Sequence, residues 1–579
     1  MRAANAGQAM SIVLADEFAR CGLTDACLAP GSRSGPLATA LAADPHIRIH
    51  VQIDERSAAF LALGIAKASR RPAAVLSTSG TAAANMYPAV IEAHHSRTPL
   101  LVLTADRPPQ LRDTGANQTI DQLKLYGSAV RWFFEVGVPE ARPESVRYWR
   151  SLACRAFARA TGPQAGPVHL NLAFREPLVP VPDEQGFPYP LEGRPEERSW
   201  TRVARSLRPP SEADVDRLAG EIAGASRGLI LVGDGQADAS AVLELARAAE
   251  WPVLADPLSG ARCGEFAVST YEALLSVLPF VRSHRPEMVV RIGRVSPSRR
   301  MAEFLNHRVK QILLDVGGVD EGWSDPERGA SWAVEADPSM VCQAVAKALL
   351  PRSDRAWLDS WLGSESRARN AIDALLDATD EPSEPRVARD LCRILPEGAT
   401  LVVASSMPVR DVEWFMLPRS GLRVLGNRGA SGIDGFVSTS LGVAMASPGP
   451  TFALAGDLSL LHDANGLLAA RSERNAPVEA IIVVVNNNGG AIFSFLPEAD
   501  FPENFERLFG TPHDLDLADV ARLYKCGYQK VERMSRFAAA LAAARRAGGV
   551  NILEVPTDRQ ANVAHHRMLW EAVAGALGH

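Results

Sequence analysis

Oxygen-bearing side chains follow two apolar stretches in the last third of the chain. Asp457 comes just after the apolar stretch 451–455, and three asparagines, Asn486–Asn488, come directly after the apolar stretch 478–485. A helix-like stretch, 463–474, lies between them, so the unit reads as strand–helix–strand with two parallel strands. The carboxyl ends of parallel strands are where open α/β sheets bind ligands. One carboxylate with neutral amide and carbonyl oxygens is typical of Mg²⁺ that keeps positions open for phosphate oxygens. The pattern therefore predicts a magnesium–diphosphate site.

Repeated alternation of strands and helices supplies the framework for this site. Three blocks, 1–190, 211–350 and 386–579, are separated by a linker at 193–210 and by a charged helical connector at 354–385 that ends in a loop. Strands are predicted at 48–53, 73–77, 100–104, 168–172, 228–232, 252–254, 288–292, 311–316, 400–403, 423–425, 451–455, 480–485 and 551–555. This alternation favours the α/β class, with three doubly wound parallel-sheet domains.

Composition excludes several classes of protein. The chain has 579 residues and a net charge of −6, so nothing in its charge favours nucleic acid as a partner. No stretch approaches the roughly 18 apolar residues of a membrane span, and the N-terminus lacks the pattern of a signal peptide. The seven cysteines form no CxxC pair. We expect a cytoplasmic protein without a membrane span.

Eight segments together are similar to one enzyme family. They read APGSRSGPL (29–37), IDER (53–56), STSGTAAAN (77–85), LTADRPP (103–109), GANQTI (115–120), NRGASGIDG (427–435), GDLS (456–459) and NNNGGAIFSFLP (486–497). They resemble the 2-succinyl-5-enolpyruvyl-6-hydroxy-3-cyclohexene-1-carboxylate synthases, the MenD family of thiamine diphosphate-dependent enzymes. The match spans the first and third blocks in the same order, whereas the middle block matches only loosely.

The resemblance implies a fold, a cofactor and a reaction. The blocks 1–190, 211–350 and 386–579 would be the pyrimidine-binding, central and diphosphate-binding domains. The cofactors would be thiamine diphosphate and Mg²⁺ or Mn²⁺. A transferase of this family decarboxylates 2-oxoglutarate and adds the succinyl-semialdehyde carbanion to isochorismate in a 1,4-addition, as a step of menaquinone biosynthesis. Its active sites would lie between chains of a homodimer or homotetramer.

Glu55 follows an alternating strand pattern. Ile47, Ile49, Val51 and Ile53 alternate with polar residues, and Glu55 continues the apolar parity. If the strand persists, the Glu55 carboxyl points toward the buried side, where desolvation raises a carboxyl pKa. The resemblance implies that Glu55 hydrogen-bonds N1′ of the aminopyrimidine and acts as a catalytic proton carrier.

Further cofactor and metal residues follow from the resemblance. The metal ligands would be Asp457, the side chain of Asn487 and the backbone carbonyl of Gly489, while Asn486 and Asn488 remain competing choices by spacing alone. The spacing between Asp457 and Asn487 is long for such motifs, and the extra residues are expected in the turn around 472–477. The other cofactor-binding positions would be Leu458, Ser459 and Ile433, with Ile433 as the wedge that bends the cofactor.

Both implied substrates carry two carboxylates, which arginine forks bind in a bidentate way. The resemblance places the substrate-binding residues at Ser32, Arg33, Arg107, Asn117, Gln118, Arg299, Arg300, Ser406, Arg410, Arg428, Ile492, Phe493 and Leu496. Of these, Arg33, Gln118 and Arg410 join Glu55 as catalytic candidates. Arg97, with Arg299 and Arg300, is an alternative candidate for an anionic effector site.

Three alternatives remain open. The first is another thiamine diphosphate enzyme, such as an acetolactate-synthase-like enzyme or a simple 2-oxoacid decarboxylase. The second is a non-catalytic nucleotide-binding protein, for which the Gly233–Asp234–Gly235 turn is weak support because it lacks the third glycine of GxGxxG. The third is a structural assembly protein, which leaves the Asp457–Asn487 pattern unexplained. We expect no FAD in the middle block.

Overall fold

Three parallel sheets organise the chain in the computed structural model, which describes residues 3–182, 186–204, 207–234, 237–295, 298–306, 308–315, 323–471 and 477–578. Every pairing between named strands is parallel. The predicted α/β class with three doubly wound parallel sheets is confirmed. Among the described residues, no helix combines the length and the apolar character needed to cross a bilayer.

The first sheet has six strands in the order β2-β1-β3-β4-β6-β5. Its strands are β1 (Asp25–Leu28), β2 (Arg48–Val51), β3 (Ala73–Ser77), β4 (Leu100–Asp106), β5 (Trp132–Glu135) and β6 (Pro167–Ala173). The helices around it are α1 (Ala6–Cys21), α2 (Gly35–Ala43), α3 (Glu55–Ser69), α4 (Thr81–Asn85), α5 (Tyr87–His95) and α6 (Ser145–Ala160). The central strands β3, β4 and β6 are buried along their whole length, as a sheet covered on both faces requires.

The second sheet has five strands in the order β11-β10-β9-β7-β8. Its strands are β7 (Gly228–Val232), β8 (Val253–Ala255), β9 (Met288–Ile292), β10 (Lys310–Leu314) and β11 (Ala330–Val334). Its helices are α7 (Glu212–Gly224), α8 (Ala239–Ala249), α9 (Tyr271–Leu274), α10 (Leu278–Ser283), α11 (Arg299–Leu305) and α12 (Pro338–Ala348), followed by the long helix α13 (Ala356–Asp377). Gly233 after β7 has a packing role, because a Cβ there would lie 1.9 Å from the Arg294 carbonyl oxygen. Gly235 of the weak nucleotide-binding pattern lies outside the described residues.

The third sheet has six strands in the order β13-β12-β14-β15-β17-β16. Its strands are β12 (Ala399–Val403), β13 (Leu422–Gly426), β14 (Thr451–Gly456), β15 (Ala480–Asn486), β16 (Gly527–Lys530) and β17 (Val550–Pro556). Its helices are α14 (Glu384–Ile394), α15 (Met407–Phe415), α16 (Phe436–Ala446), α17 (Asp457–His462), α18 (Leu517–Tyr524), α19 (Phe537–Ala547) and α20 (Arg559–Ala576).

Short helical turns complete the third domain. The stretch between β14 and β15 contains α17 and a 3-10 helix, Ala464–Arg471, rather than one long helix. After β15 the chain forms three 3-10 turns and a π-helix: Ala491–Phe495, Pro497–Asp500, Pro502–Asn504 and Glu506–Gly510. The turn predicted to hold the extra length between Asp457 and Asn487 falls largely on residues 472–476, which lie outside the described residues.

The first and third domains of one chain meet along helices α3 and α16. A Cβ on Gly64 of α3 would lie 2.1 Å from the Thr439 carbonyl oxygen, and a Cβ on Gly442 of α16 would lie 2.2 Å from the Leu61 carbonyl oxygen. The two helix backbones therefore touch, and only glycine fits at these two positions. The contact continues at Arg56, whose guanidinium donates to the His462 carbonyl over 3.1 Å.

Candidate active site

Asp457 and the asparagine run meet at one edge of the third sheet. Strands β14 and β15 are parallel neighbours, as predicted, and Asp457 begins α17 directly after β14. The Asp457 carboxylate is 1% exposed and accepts hydrogen bonds from the Leu458 N–H (2.6 Å) and the Gly489 N–H (2.9 Å). Burial raises the pKa of Asp457 despite these bonds. Each carboxylate oxygen accepts one of these N–H groups and keeps lone-pair capacity with which it can bind a cation.

The three asparagines have different surroundings. Asn486 donates to Glu554 over 2.9 Å and accepts from the Asn488 N–H over 3.1 Å. Asn488 donates to Asp514, and its oxygen accepts from two backbone N–H groups. Asn487 is 8% exposed, and its Oδ1 is buried without a hydrogen-bond partner in the part of the chain that the structure describes. Among the three, Asn487 is thus the one whose oxygen is free to bind a ligand.

Gly489 completes this oxygen-rich turn. Its backbone has φ 141°, and a Cβ there would lie 2.0 Å from the Gly510 carbonyl oxygen. Both facts require glycine at this position. Leu458 is half-buried, and Ser459 is buried in the first turn of α17.

Two residues that we did not predict contact this turn. The His513 Nε2 lies 3.3 Å from the Asp457 Oδ2, on a side chain that is 10% exposed. Glu384 accepts from the Asn487 Nδ2 over 2.8 Å, and burial with nearby Asp411 raises the pKa of Glu384 to about 8. The only signal in the sequence for Glu384 was the Glu-Pro pair at 384–385, which is typical of a helix start. We assigned it to a loop, and that assignment is wrong because Glu384 is the first residue of α14.

Glu55 lies at a helix start rather than on a strand. The strand β2 ends at Val51, and the Asp54 side chain then caps α3, whose first residue is Glu55. Val51 is 60% exposed and Ile53 is 70% exposed, so the predicted inward parity is wrong for this edge strand. Within one chain Glu55 is half-buried, and the Asn85 Nδ2 lies 3.5 Å from its carboxylate.

The four predicted arginines form two pairs. Arg107 and Arg33 lie in the first domain, where burial and the charge of Arg33 lower the pKa of Arg107. Arg410 and Arg428 lie in the third domain, where burial and the charge of Arg428 lower the pKa of Arg410. Two like charges held close together form a site that an anion stabilises.

Backbone and carboxylate oxygens hold these arginines in place. The Arg33 guanidinium donates to the Phe174 carbonyl over 3.0 Å and pairs with Glu176 over 3.1 Å. Arg107 donates to the Gln118 carbonyl over 2.8 Å and contacts the Ser79 hydroxyl. Because these contacts already fix the side chains, substrate binding costs less side-chain conformational entropy.

The polar residues predicted beside the arginines lie close to them in the chain. Ser32 and Asn117 are exposed, and Gln118 has a left-handed backbone with φ 54°. Ser406 has φ 74° and ψ −132°, a conformation that is costly for a residue with a side chain, and its carbonyl accepts from Arg410 over 2.7 Å. Such strain is a feature of functional turns.

The predicted apolar residues flank the asparagine run. Ile433 is half-buried in the loop before α16, and Ile492 and Phe493 are half-buried in the 3-10 turn after the asparagines. The Phe493 ring packs 5.5 Å from the Phe509 ring, and Leu496 is 40% exposed. These side chains present an apolar wall beside the polar turn.

The two predicted middle-domain arginines have different surroundings. Arg299 on α11 is 91% exposed and pairs with Glu303, while Arg300 lies over the Trp570 ring. Arg299 lines a cleft of about 1120 Å³ that Arg97 and Arg428 also line, whereas Arg300 is absent from its described lining. Arg97 is paired over 2.8 Å with Asp315, the residue that directly follows β10 of the second sheet.

Comparison with known proteins agrees with this architecture. Residues 9–125 match the family described as Thiamine pyrophosphate enzyme, N-terminal TPP binding domain, and residues 414–555 match the corresponding C-terminal TPP binding domain. Asp457, Asn487 and Gly489 fall within the second match, and Glu55 within the first. The chain therefore contains both domains that bind thiamine diphosphate.

Full-length relatives are more specific. The 2-succinyl-5-enolpyruvyl-6-hydroxy-3-cyclohexene-1-carboxylate synthase of Thermobifida fusca is 49% identical over 99% of this chain and 100% of its own length. The enzyme of the same name from Geobacillus kaustophilus is 42% identical over 99% of this chain and 98% of its own. The solved benzoylformate decarboxylase of Polynucleobacter necessarius has the same fold, with a TM-score of 0.72 at 17% identity over 96% of this chain and 99% of its own. On this evidence the chain belongs to the 2-succinyl-5-enolpyruvyl-6-hydroxy-3-cyclohexene-1-carboxylate synthase family of thiamine diphosphate enzymes.

Proposed function

We propose that this protein decarboxylates 2-oxoglutarate and joins the remaining succinyl-semialdehyde unit to isochorismate by 1,4-addition, forming 2-succinyl-5-enolpyruvyl-6-hydroxy-3-cyclohexene-1-carboxylate and CO₂. The observation that carries the proposal is the combination of a thiamine diphosphate fold with two close pairs of arginines, in each of which one arginine lowers the pKa of the other. Two dicarboxylates need such cationic sites, whereas the small neutral acceptors of other enzymes in this fold do not.

The metal site in this proposal consists of oxygen ligands. Asp457, the Asn487 Oδ1 and the Gly489 carbonyl would hold Mg²⁺, or Mn²⁺ in its place, and the cation would neutralise charge on the diphosphate. The buried Asn487 oxygen without a partner fits this role, because a buried acceptor left alone is costly. Leu458 and Ser459 would contact the diphosphate, and Ile433 would support the bend of the cofactor.

Thiamine diphosphate supplies an electron sink for the loss of CO₂ from a 2-oxo acid when it is bound. The role of Glu55 is to exchange a proton with N1′ of the aminopyrimidine ring. Its position at the first turn of α3 leaves the carboxylate half-buried in one chain, with Asn85 as its described neighbour. Closure by a second chain would remove the remaining water and make the carboxylate a better proton carrier.

The arginine pairs orient the two acids. Arg33 and Arg107, with Ser32, Asn117 and Gln118, would bind one dicarboxylate from the first domain, and Arg410 and Arg428, with Ser406, would bind from the third. Ile492, Phe493 and Leu496 would cover the apolar face of the isochorismate ring. Arg299 and Arg300 would contribute charge from the middle domain. Charged hydrogen bonds fixed before the reaction lower the barrier because they need no rearrangement.

We propose a homodimer or homotetramer, with the homodimer as the minimal unit and an active site between chains. The exposed apolar side chains Val51 and Ile53 beside Glu55, and Phe501 and Leu508 beyond the asparagine run, support a covering partner. We assign residues 1–190, 211–350 and 386–579 to the pyrimidine-binding, central and diphosphate-binding domains. The seven free cysteines suit the reducing cytoplasm.

An isochorismate-dependent assay tests the proposed reaction. The purified protein is mixed with thiamine diphosphate, Mg²⁺ and 2-oxoglutarate, with or without isochorismate, and the isochorismate absorbance is followed. We expect the absorbance to fall only when all components are present. Release of free succinic semialdehyde with isochorismate unchanged would show a simple 2-oxoacid decarboxylase instead.

A further inference from the structure

The carboxamide of Asn487 has a defined orientation. Its Nδ2 donates to the Glu384 Oε1 over 2.8 Å, and its Oδ1 is buried without a partner among the described residues. An amide can rotate by half a turn and exchange these two ends at little steric cost. The hydrogen bond to Glu384 selects one of the two orientations, because a carboxylate oxygen accepts from N–H and not from a carbonyl oxygen.

Glu384 is itself held rigidly. It is the first residue of α14, it is 4% exposed, and the Thr557 hydroxyl donates to the same Oε1 over 3.4 Å. Thr557 directly follows β17, which pairs with β15, and β15 ends at Asn486, directly before Asn487. The Oε1 accepts from Asn487 in the carboxylate, and also in the neutral acid when the proton is on Oε2. The side chain is therefore a fixed acceptor placed behind the asparagine.

We propose that Glu384 is a positioning residue that orients the Asn487 oxygen toward the cation of the cofactor. The inference rests on the proposed metal site, in which Asn487 is a ligand. An amide nitrogen does not bind Mg²⁺, which prefers oxygen. Without Glu384 the amide would spend part of its time with the wrong end toward the cation, and the cation would bind less tightly. Partners behind a metal ligand change metal affinity by roughly 10- to 100-fold when they are removed.

Direct metal binding tests the proposal without relying on turnover. Mn²⁺ affinity is measured by electron paramagnetic resonance on the full-length protein at saturating thiamine diphosphate. Glu384→Met keeps the size of the side chain but removes the acceptor, and we expect its Mn²⁺ dissociation constant to rise by about 10- to 100-fold. Glu384→Gln keeps an acceptor oxygen, so its constant should stay within about threefold of wild type. If Glu384→Met fails to fold, Glu384→Ala replaces it.

Glu554 provides the matched control. It is 4% exposed and accepts from the Asn486 Nδ2 over 2.9 Å, so Glu554→Met removes an equivalent buried acceptor from the neighbouring asparagine. We expect Glu554→Met to leave Mn²⁺ affinity within about threefold of wild type, because Asn486 is not a proposed ligand. Equal losses in both variants would mean a general structural effect and would overturn the positioning role.

A double variant separates this proposal from the proposed metal site. Asn487→Ala should weaken Mn²⁺ binding, and adding Glu384→Met to it should cause less than about a twofold further loss, since Glu384 acts through Asn487. If Asn487→Ala binds Mn²⁺ normally, the metal site itself is wrong. If Asn487→Ala weakens binding but Glu384→Met alone does not, only the positioning role fails.

Discussion

Complementation between two inactive variants is the sharpest test of an active site shared between chains. Glu55→Gln removes the proton carrier, and Asp457→Ala removes a ligand of the cation. We expect Glu55→Gln alone to lose at least about 100-fold in turnover, which is the lower range for the loss of general acid–base catalysis. Asp457→Ala alone should be nearly inactive at the cofactor concentration that just saturates wild type, because the loss of a metal ligand weakens binding of the cation and the cofactor. Each variant should still fold, because Glu55 is half-buried with one neighbour, and Asp457 mainly accepts two backbone N–H bonds.

The mixed dimer distinguishes the two possible arrangements. When the variants carry different affinity tags and are co-expressed, dimers purified on both tags contain one chain of each kind. If Glu55 of one chain faces Asp457 of the other, one of the two sites has both native residues and the other has neither. The expected turnover per dimer is about half that of wild type, as two-fold symmetry provides two equivalent sites.

The assay is the isochorismate-dependent absorbance change at saturating cofactor, with each inactive homodimer as the background. A dimer of wild-type chains with chains that carry both changes is the control. Its two sites each lack one residue, so it should be nearly inactive. If instead the dimer of the two single variants is inactive and the control dimer keeps about half of the wild-type turnover, the Glu55 and Asp457 of one site belong to the same chain, and the shared-site arrangement is wrong.

Three further predictions concern single features of the structure. Arg410→Met should raise the KM for a dicarboxylate substrate by about 10- to 100-fold, which corresponds to the roughly 1.5–3 kcal/mol of a charged hydrogen bond. Arg410→Lys should restore only part of the lost substrate affinity. An unchanged KM in steady-state kinetics would remove Arg410 from the site. Gly64→Ala should lower the free energy of unfolding by about 1–3 kcal/mol, because its Cβ would lie 2.1 Å from the Thr439 carbonyl oxygen. Gly363→Ala in α13 is the control, and it should be neutral or stabilising because a Cβ there would meet nothing within 4 Å. Equal melting temperatures for the two variants at one scan rate would contradict this prediction. Removal of the cation with EDTA should release thiamine diphosphate, because the negative diphosphate would then be repelled by the Asp457 carboxylate. Cofactor that stays bound through gel filtration would argue against a cation that holds the diphosphate.

Sequence patterns predicted the strands of the third domain well, because the apolar runs and the helical stretch between them indicate the same arrangement. The apolar runs before Asp457 and Asn486 are too short for helices and are separated by a helical stretch, so parallel neighbours were the direct consequence. Spacing alone left three asparagines equivalent. Their side-chain partners Glu554, Glu384 and Asp514 distinguish them, and those partners are distant in sequence.

The prediction for Glu55 failed for a physical reason. Alternation indicates a buried face only while the strand continues and only when that face is covered. Here β2 is an edge strand, the chain leaves the sheet after Val51, and Asp54 caps the following helix. The Asp-Glu pair before a long apolar helical stretch was the available sign of a helix start. The strands β1, β5, β11 and β16 were missed, and three of them, β5, β11 and β16, are partly exposed strands at the edges of their sheets.

The strand order of the third sheet limits how this enzyme can be divided. Strand β12 lies between β13 and β14, although the family match to the C-terminal domain begins only at residue 414. A fragment cut at that point would lose an inner strand and leave the edges of its two neighbours with unpaired N–H and C=O groups. It would also lose α14. A fragment intended for spectroscopy, fusion or directed evolution must therefore start before Glu384, well upstream of the boundary that sequence similarity suggests.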